Sequence, residues 1–384
     1  MTPLAARDPR VDALRGFALL GIVLVNVQSF LWGATNPVGY LAESASLADR
    51  IVYFLTAVFV SMKFMPLFAL LFGAGFALLY RRLETLTVAP RAIYRRRMLF
   101  LFVFGILHGG FFYLGDITHM YALAGLVLLV YIDRDLAGVA RAARHWWIGT
   151  ALLNVALLVL AARVLPTPGE LAADAALNFE IFSEADYAGQ LPQRLREFGQ
   201  MLIANLVGLP MTVALMLTGM TAARSGWLAD RDAAAWRTAS RIGLVVGLPA
   251  SLLYGWWLLD EAVTLGLGAS PLAATVPMLL SVALAFFYAS AFMRRVPERV
   301  VRWLAPAGRM PLTNYFLQSV AMGALLSGWG LALGPQLGYW QTALVGLGIF
   351  IVQMGLSRAW LAHMRQGPLE ALWRAWTYRG LPAA

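Results

Sequence analysis

Ten apolar runs limit what this chain can fold into. They fall at 14–32, 51–80, 98–115, 117–132, 145–164, 198–222, 241–259, 272–293, 313–332 and 339–362. About 20 apolar residues in a helix cross a bilayer core of about 30 Å. Backbone groups in lipid must find partners within the protein, and a helix supplies them within one segment. The pattern therefore predicts an all-α, polytopic transmembrane helix bundle of about ten spans. The run at 117–132 is the shortest, and 51–80 is long enough to be tilted or broken. Pro66 lies inside that second run and favours a kink, because it lacks an amide hydrogen and crowds the preceding turn. Hydrophobic residues make up 60% of the chain and charged residues 13%, against about a quarter charged in soluble domains.

Charge sets the expected orientation. All 30 basic residues but Lys63 are arginines, and they gather in alternate connections. The groups are Arg7/Arg10/Arg15, the six from Arg81 to Arg97, Arg134/Arg141/Arg144, Arg224 to Arg241, Arg294 to Arg309, and Arg365/Arg374/Arg379. The intervening connections are nearly free of arginine, and 165–197 is acidic. Arginine accumulates on the cytoplasmic side, so both termini are expected there, in agreement with an even number of spans. The net charge of +10 then reflects topology, and no nucleic-acid partner is expected. The first run is read as a span rather than a cleaved leader, since Asn26 and Gln28 interrupt it and Phe30, Leu31 and Trp32 are too bulky for a cleavage site. A single integral membrane domain is expected over 1–384. Its one long outer connection is 165–197, with a short helix at 171–187 on the surface or capping the outer face.

Polar residues at membrane depth carry the functional expectation. An ionisable group there is costly unless paired or hydrated, and so marks a site by default. His108-Gly109-Gly110 is followed by Gly115-Asp116, with His119 three residues beyond. The glycines permit close backbone approach, and Gly73 and Gly75 read as points of close helix packing. Counting from the cytoplasmic end, His108 falls roughly 15 Å into the third span, with Asn26 and Lys63 at similar depth. On a straight helix His108 and Asp116 would stand about 12 Å apart. That separates them into two stations, the histidine at mid-depth and the aspartate at the outer rim, and leaves Asn26 and Lys63 as the histidine's expected neighbours.

Each residue also has a plainer reading. His108 would serve as a helix-to-helix bonding partner, Lys63 would extend towards the interface, Asn26 would be packing glue, and Asp116 would cap the fourth helix. His119 shares a helical face with Asp116, but the spacing matches no metal pattern and no metal is expected. Asn314 and Gln318 share a face in the ninth run, with Tyr315 and Ser319 beside them, and form a second polar stripe. Arg91, Arg95, Arg96 and Arg97 would bind phosphates, or set topology and touch lipid headgroups. With no cysteine in the chain, disulfides, thiolate catalysis and cysteine-based metal sites are excluded.

Five segments in order carry a family resemblance. They are Val11-Asp12-Ala13-Leu14-Arg15-Gly16-Phe17-Ala18, Phe68-Ala69-Leu70-Leu71-Phe72-Gly73-Ala74-Gly75, the stretch from His108-Gly109 to Gly115-Asp116-Ile117 with Tyr121-Ala122-Leu123, Gly308-Arg309-Met310 with Leu312-Thr313-Asn314-Tyr315, and Gly367-Pro368-Leu369-Glu370 with Trp373-Arg374. From Asp12 to Tyr378 the chain resembles the YeiB-like family of bacterial membrane proteins, domain of unknown function 418. The family has no settled activity. It is grouped by fold with membrane acyltransferases, among them the lysosomal enzyme that acetylates heparan sulfate glucosamine and bacterial enzymes that O-acylate surface polysaccharides. Those relatives carry their histidine in different local motifs, so it does not map onto His108 by position.

The resemblance implies a multi-pass protein of the bacterial inner membrane that moves an acyl group from cytoplasmic acyl-CoA to an outer acceptor, a glycan or lipid. In that expectation His108 and Asp116 are catalytic. Asn26, Lys63, His119, Asn314 and Gln318 bind substrate, and Arg91 to Arg97 hold the CoA phosphates. Two other readings stay open: a transporter or flippase using the same cluster as its binding site, and a non-enzymatic membrane protein.

Overall fold

Long apolar stretches bounded by proline, glycine and capping side chains form helices along nearly the whole chain. The computed structural model describes residues 8–33, 45–164, 168–264 and 271–379, and among these there is no strand. The helices are α1 (Pro9–Asn26), α2 (Ser29–Trp32), α3 (Leu47–Phe59), α4 (Phe64–Leu86), α5 (Pro90–Phe111), α6 (Thr118–Leu128), α7 (Leu136–Val164), α8 (Pro168–Glu184) and α9 (Tyr187–Arg224). They continue with α10 (Ala234–Ile242), α11 (Leu248–Thr264), α12 (Pro271–Ser281), α13 (Ala283–Arg295), α14 (Glu298–Arg309), α15 (Pro311–Leu326), α16 (Tyr339–His363) and α17 (Pro368–Thr377). A π-helical turn at Gly243–Gly247 joins α10 to α11.

Five helical stretches among the described residues are long and apolar enough to cross a membrane: Leu47–Leu86, Tyr187–Arg224, Ala234–Leu259, Val276–Arg295 and Tyr339–His363. Their outer faces agree. Ile203, Leu253 and Leu356 are each more than half exposed, a surface that only lipid or another apolar partner would cover. The chain is an all-helical membrane protein.

Three boundaries differ from those read in the sequence. The long second run breaks at residues 60–63, where Met62 takes a positive φ of 61°. α4 then restarts with Pro66 in its first turn, where the missing amide hydrogen costs nothing. The expected span at 117–132 is instead the 11-residue α6, about 16 Å long and so only half of a bilayer core. Its end is tied to α9 through Arg224, whose guanidinium donates to the carbonyls of Ile132 and Arg134. Its start lies beside Asn205, 19 residues earlier on α9. Finally, the expected outer connection at 165–197 is largely helical: α8 spans most of the short helix expected at 171–187 but starts earlier and ends at Glu184, and α9 begins at Tyr187. Residues 165–167 lie outside the described residues.

Two apolar cores organise the bundle. One is built from α4, α5, α6 and α9, with Leu83, Met98, Leu128 and Met216 fully buried. The other gathers α1, α13, α14, α15 and α16 around Ala18, Val23, Ala285 and Met322. Close helix approach is made by glycine. A Cβ at Gly73 would fall on the carbonyl of Met216, and one at Gly219 on the carbonyl of Leu70, so α4 and α9 meet backbone to backbone. Gly16 and Gly308 do the same for α1 and α14. Gly75 faces only the end of the Arg15 side chain, so it opens space rather than packing helices.

Candidate functional site

α5 ends where its carbonyls lose helical partners. The amides of both Phe112 and Tyr113 donate to the carbonyl of His108, and the amide of Asp116 donates to that of Tyr113. The chain thus turns back on itself instead of continuing outward. Gly105 makes the return possible, because a Cβ there would collide with the backbone of His119 at the start of α6. The turn brings Asp116 level with His108, and the sequence-based separation of about 12 Å is corrected to a hydrogen bond. His108 Nδ1 donates to Asp116 Oδ2 at 2.7 Å. Both side chains are buried, at 1% and 0% exposure.

Asp116 is the hub of a wider network. Its Oδ1 accepts from the Thr118 amide at 2.7 Å, the Thr118 hydroxyl at 2.8 Å and His119 Nδ1 at 3.2 Å. It therefore caps α6 and holds His108 at once. Every partner of the carboxylate is a donor, which suits its ionised, acceptor-only form. With Nδ1 of both imidazoles protonated, each Nε2 is left to accept. His119 Nε2 takes a bond from Asn205 Nδ2 at 3.3 Å, and the same nitrogen donates to the Asp116 carbonyl at 3.1 Å. His108 Nε2 faces the hydroxyl of Ser319 at 2.9 Å. The tautomers follow from this bonding pattern. Tyr315 packs against the His108 ring at 4.9 Å between centroids, and Phe104 stacks on it at 5.5 Å.

The other expected site residues lie elsewhere. Lys63 is fully buried at the break between α3 and α4, where its ammonium donates to the Ala57 carbonyl at 2.8 Å and faces the Tyr254 ring. Asn26 closes α1 and its carbonyl accepts from Ser29, whose hydroxyl meets that of Tyr113. Neither is the neighbour of His108 that the depth count suggests; those neighbours are Asp116 and Ser319. Asn314 bonds Ser357 of α16 and the Ala307 carbonyl, while Gln318 bonds Gln353 of α16. The polar stripe on α15 thus ties helices together.

A cavity of about 380 Å³ lies at the seam of the two cores, on the arginine-rich side. Arg15, Arg82, Arg97, Arg309 and Arg374 surround its mouth, and Leu19, Phe68, Leu71, Leu101 and Tyr121 form its walls. Its inner end is lined by Ile117, Thr118 and Tyr315, which adjoin the Asp116 network. Of the four arginines expected to hold phosphates, only Arg97 lines this cavity. Its guanidinium lies over the Trp373 ring at 3.5 Å. Arg91 instead binds the Leu129 carbonyl and pairs with Asp133, and Arg96 binds the Arg379 carbonyl. Both line, with Arg95, a shallow groove on the far side of α5.

α17 completes the mouth. Glu370 accepts from the amides of Leu312 at 2.7 Å and Thr313 at 3.1 Å, and from the Thr313 hydroxyl at 2.6 Å. The carboxylate thereby caps α15 from another helix, satisfying amides that would otherwise be orphaned. The Thr313 hydroxyl in turn accepts from the Leu369 amide, and Trp373 Nε1 donates to the Arg97 carbonyl. Glu370→Ala is expected to lower stability by about 2 kcal/mol, through lost capping and unsatisfied amides. Thermal unfolding of the purified protein in detergent checks this; an unchanged midpoint would mean that water replaces the cap.

The sequence alone does not bring Ser319, Thr118, Asn205, Arg15, Arg309 or Arg374 into the site. Asn205 carried the available signal, a polar residue inside an apolar span. Ser319 stood in the polar stripe but gave no sign of which helix it faced.

The fold and the site together define a polytopic all-helical membrane protein with a buried carboxylate–imidazole network above an arginine-mouthed cavity. Residues 222–380 match the family described as "Protein of unknown function (DUF418)". The chain is 29% identical to the uncharacterized protein YeiB of Escherichia coli, with 97% of each chain covered. It is 26% identical to the uncharacterized protein YxaH of Bacillus subtilis, over 96% of this chain and 93% of that one. It is 28% identical to an uncharacterized 39.9 kDa protein in the amylase 3' region of Bacillus acidopullulyticus, over 98% and 96%. No solved structure matches it. The chain is thus similar to YeiB-like proteins along nearly its whole length, and its C-terminal part matches the DUF418 family.

Proposed function

We propose that this protein is an acyltransferase of the bacterial inner membrane, passing an acyl group from cytoplasmic acyl-CoA to a glycan or lipid acceptor at the outer face. The cavity carries this reading. Its mouth holds five arginines and its walls are apolar, a pairing suited to a ligand with an anionic phosphate head and an apolar arm. Guanidinium groups bind phosphate through paired, charge-assisted hydrogen bonds. The arm would point towards Tyr315 and Thr118, beside the imidazole of His108. Asp116 fixes that imidazole with Nε2 unprotonated and facing the Ser319 hydroxyl, the arrangement required of a general base. In this reading Arg97 and Arg374, rather than Arg91 or Arg95, hold the phosphates.

The test uses protein in liposomes with labelled acetyl-CoA on the arginine-rich side. Label should reach an acceptor on the opposite side, and His108→Ala should abolish transfer. Arg97→Ala combined with Arg374→Ala should raise KM for acyl-CoA by about tenfold or more, since each charged hydrogen bond contributes roughly 1.5–3 kcal/mol. Movement of the acceptor across the membrane with no thioester consumed would replace this reading with transport.

A further inference from the structure

The hydroxyl of Ser319 is turned away from its own helix and towards His108. A serine or threonine inside an apolar helix ordinarily donates to the carbonyl four residues earlier. Thr150, Thr218 and Thr221 do so at 2.8 Å, and Ser251 at 2.7 Å. Ser319 stands 3.4 Å from the corresponding carbonyl of Tyr315 and 2.9 Å from His108 Nε2. Its closest partner is the imidazole, which is itself held by Asp116 at 2.7 Å. Hydroxyl, imidazole and carboxylate thus form a linear relay drawn from α15, α5 and the turn before α6. Such a triad is recognised by geometry and roles, not by the order of its members in the chain.

We propose that Ser319 is a nucleophile that carries the acyl group as an ester between donor and acceptor. The proposal rests on the acyl-transfer reading and adds a covalent stage to it. Tyr315, one turn before Ser319 on the same face of α15, lines the inner end of the cavity, so the serine lies just beyond the place where a bound arm would stop. A covalent stage lets donor and acceptor use the site in turn, one from each side. In the first half, Ser319 Oγ attacks the thioester carbonyl. The Oγ–C bond forms, the C–S bond breaks, and the hydroxyl proton passes through His108 Nε2 to the departing thiolate, which leaves as free thiol. In the second half, His108 Nε2 takes the proton of the acceptor hydroxyl, the acceptor oxygen attacks the ester carbonyl, and the Oγ–C bond breaks. The proton then returns to Ser319.

Two probes test the proposal on the full-length protein in detergent. Incubation with labelled acetyl-CoA and no acceptor should leave acetyl on the peptide containing Ser319, removable by hydroxylamine. An alkyl fluorophosphonate should label the same serine, with His108→Ala and Asp116→Asn slowing that reaction by about 100-fold or more. Ser319→Ala should lose both labels and lower transfer by a similar factor. Ser319→Cys should form an acetyl adduct cleaved by neutral hydroxylamine. The chain has no other cysteine, so that signal reports on one position even if Ser319→Ala proves unstable. Transfer by Ser319→Ala within a few-fold of wild type, with no adduct at this position in any variant, would overturn the nucleophile and leave direct acyl transfer standing. Labelling by fluorophosphonate without consumption of acyl-CoA would overturn that donor and support the nucleophile. Failure of both probes on the wild-type protein would overturn both.

Discussion

Asp116→Asn is expected to lower the proposed acyl transfer by about 10²- to 10⁴-fold while the protein remains folded. The aspartate oxygens now receive only donors: both imidazole Nδ1 groups, the Thr118 amide and the Thr118 hydroxyl. An asparagine keeps one acceptor oxygen, enough to cap α6, but presents an amide group where the other oxygen stood. If that amide faces His108, Nδ1 must become the acceptor and the proton moves to Nε2. Nε2 can then no longer take a proton from a hydroxyl. Asp116→Ala should do more, because it also strands buried donors that each cost roughly 1–3 kcal/mol. Transfer assays with thermal unfolding of both variants separate the two effects. An active Asp116→Asn variant would reduce this residue to a helix cap.

Gly73→Leu is expected to eliminate the folded protein altogether. A side chain there would occupy the space of the Met216 carbonyl, and backbone cannot yield as the tip of a flexible side chain can. α4 and α9 would have to separate, which opens the packed core around Leu83 and Met216. The cost of overpacking, about 1–3 kcal/mol where side chains can adjust, rises further when backbone must move. Gly348→Ala is the matched control. It lies on an exposed face of α16 with no neighbour where a Cβ would stand, and the change should be neutral or stabilising by about 0.5–1 kcal/mol. Size-exclusion profiles of the two variants decide the matter, and a monodisperse Gly73→Leu protein would refute the close approach.

The class of fold was legible because lipid imposes a simple rule on the chain. Apolar length predicts most of the long helices, but not α10, α14 and α17, which lie essentially outside the ten apolar runs. Gly73 is legible as a contact between helices, since small residues in apolar helices have few other uses. The turn after His108 was not legible. A straight-helix count places Asp116 far from the histidine, whereas the release of α5 at Phe112 folds the two together. The same half-length return explains why 117–132 looked like a short span. Lys63 and Asn26 show the limit of arguing from depth alone, because residues at one level in a bundle can face different neighbours. Ser319 shows the converse: its place in the site depends on which side of α15 meets α5, a property of packing that no single segment records.

The clamp made by α17 bears on how the protein is assembled. Chains are synthesised from the N-terminus, so α1, α4 and α5 leave the ribosome long before Glu370, Trp373 and Arg374 exist. Until those residues emerge, the first amides of α15 lack the cap they have in the finished fold, and Arg97 lacks the ring it lies on. The entrance to the cavity is therefore a late product of biosynthesis, finished only once α17 docks.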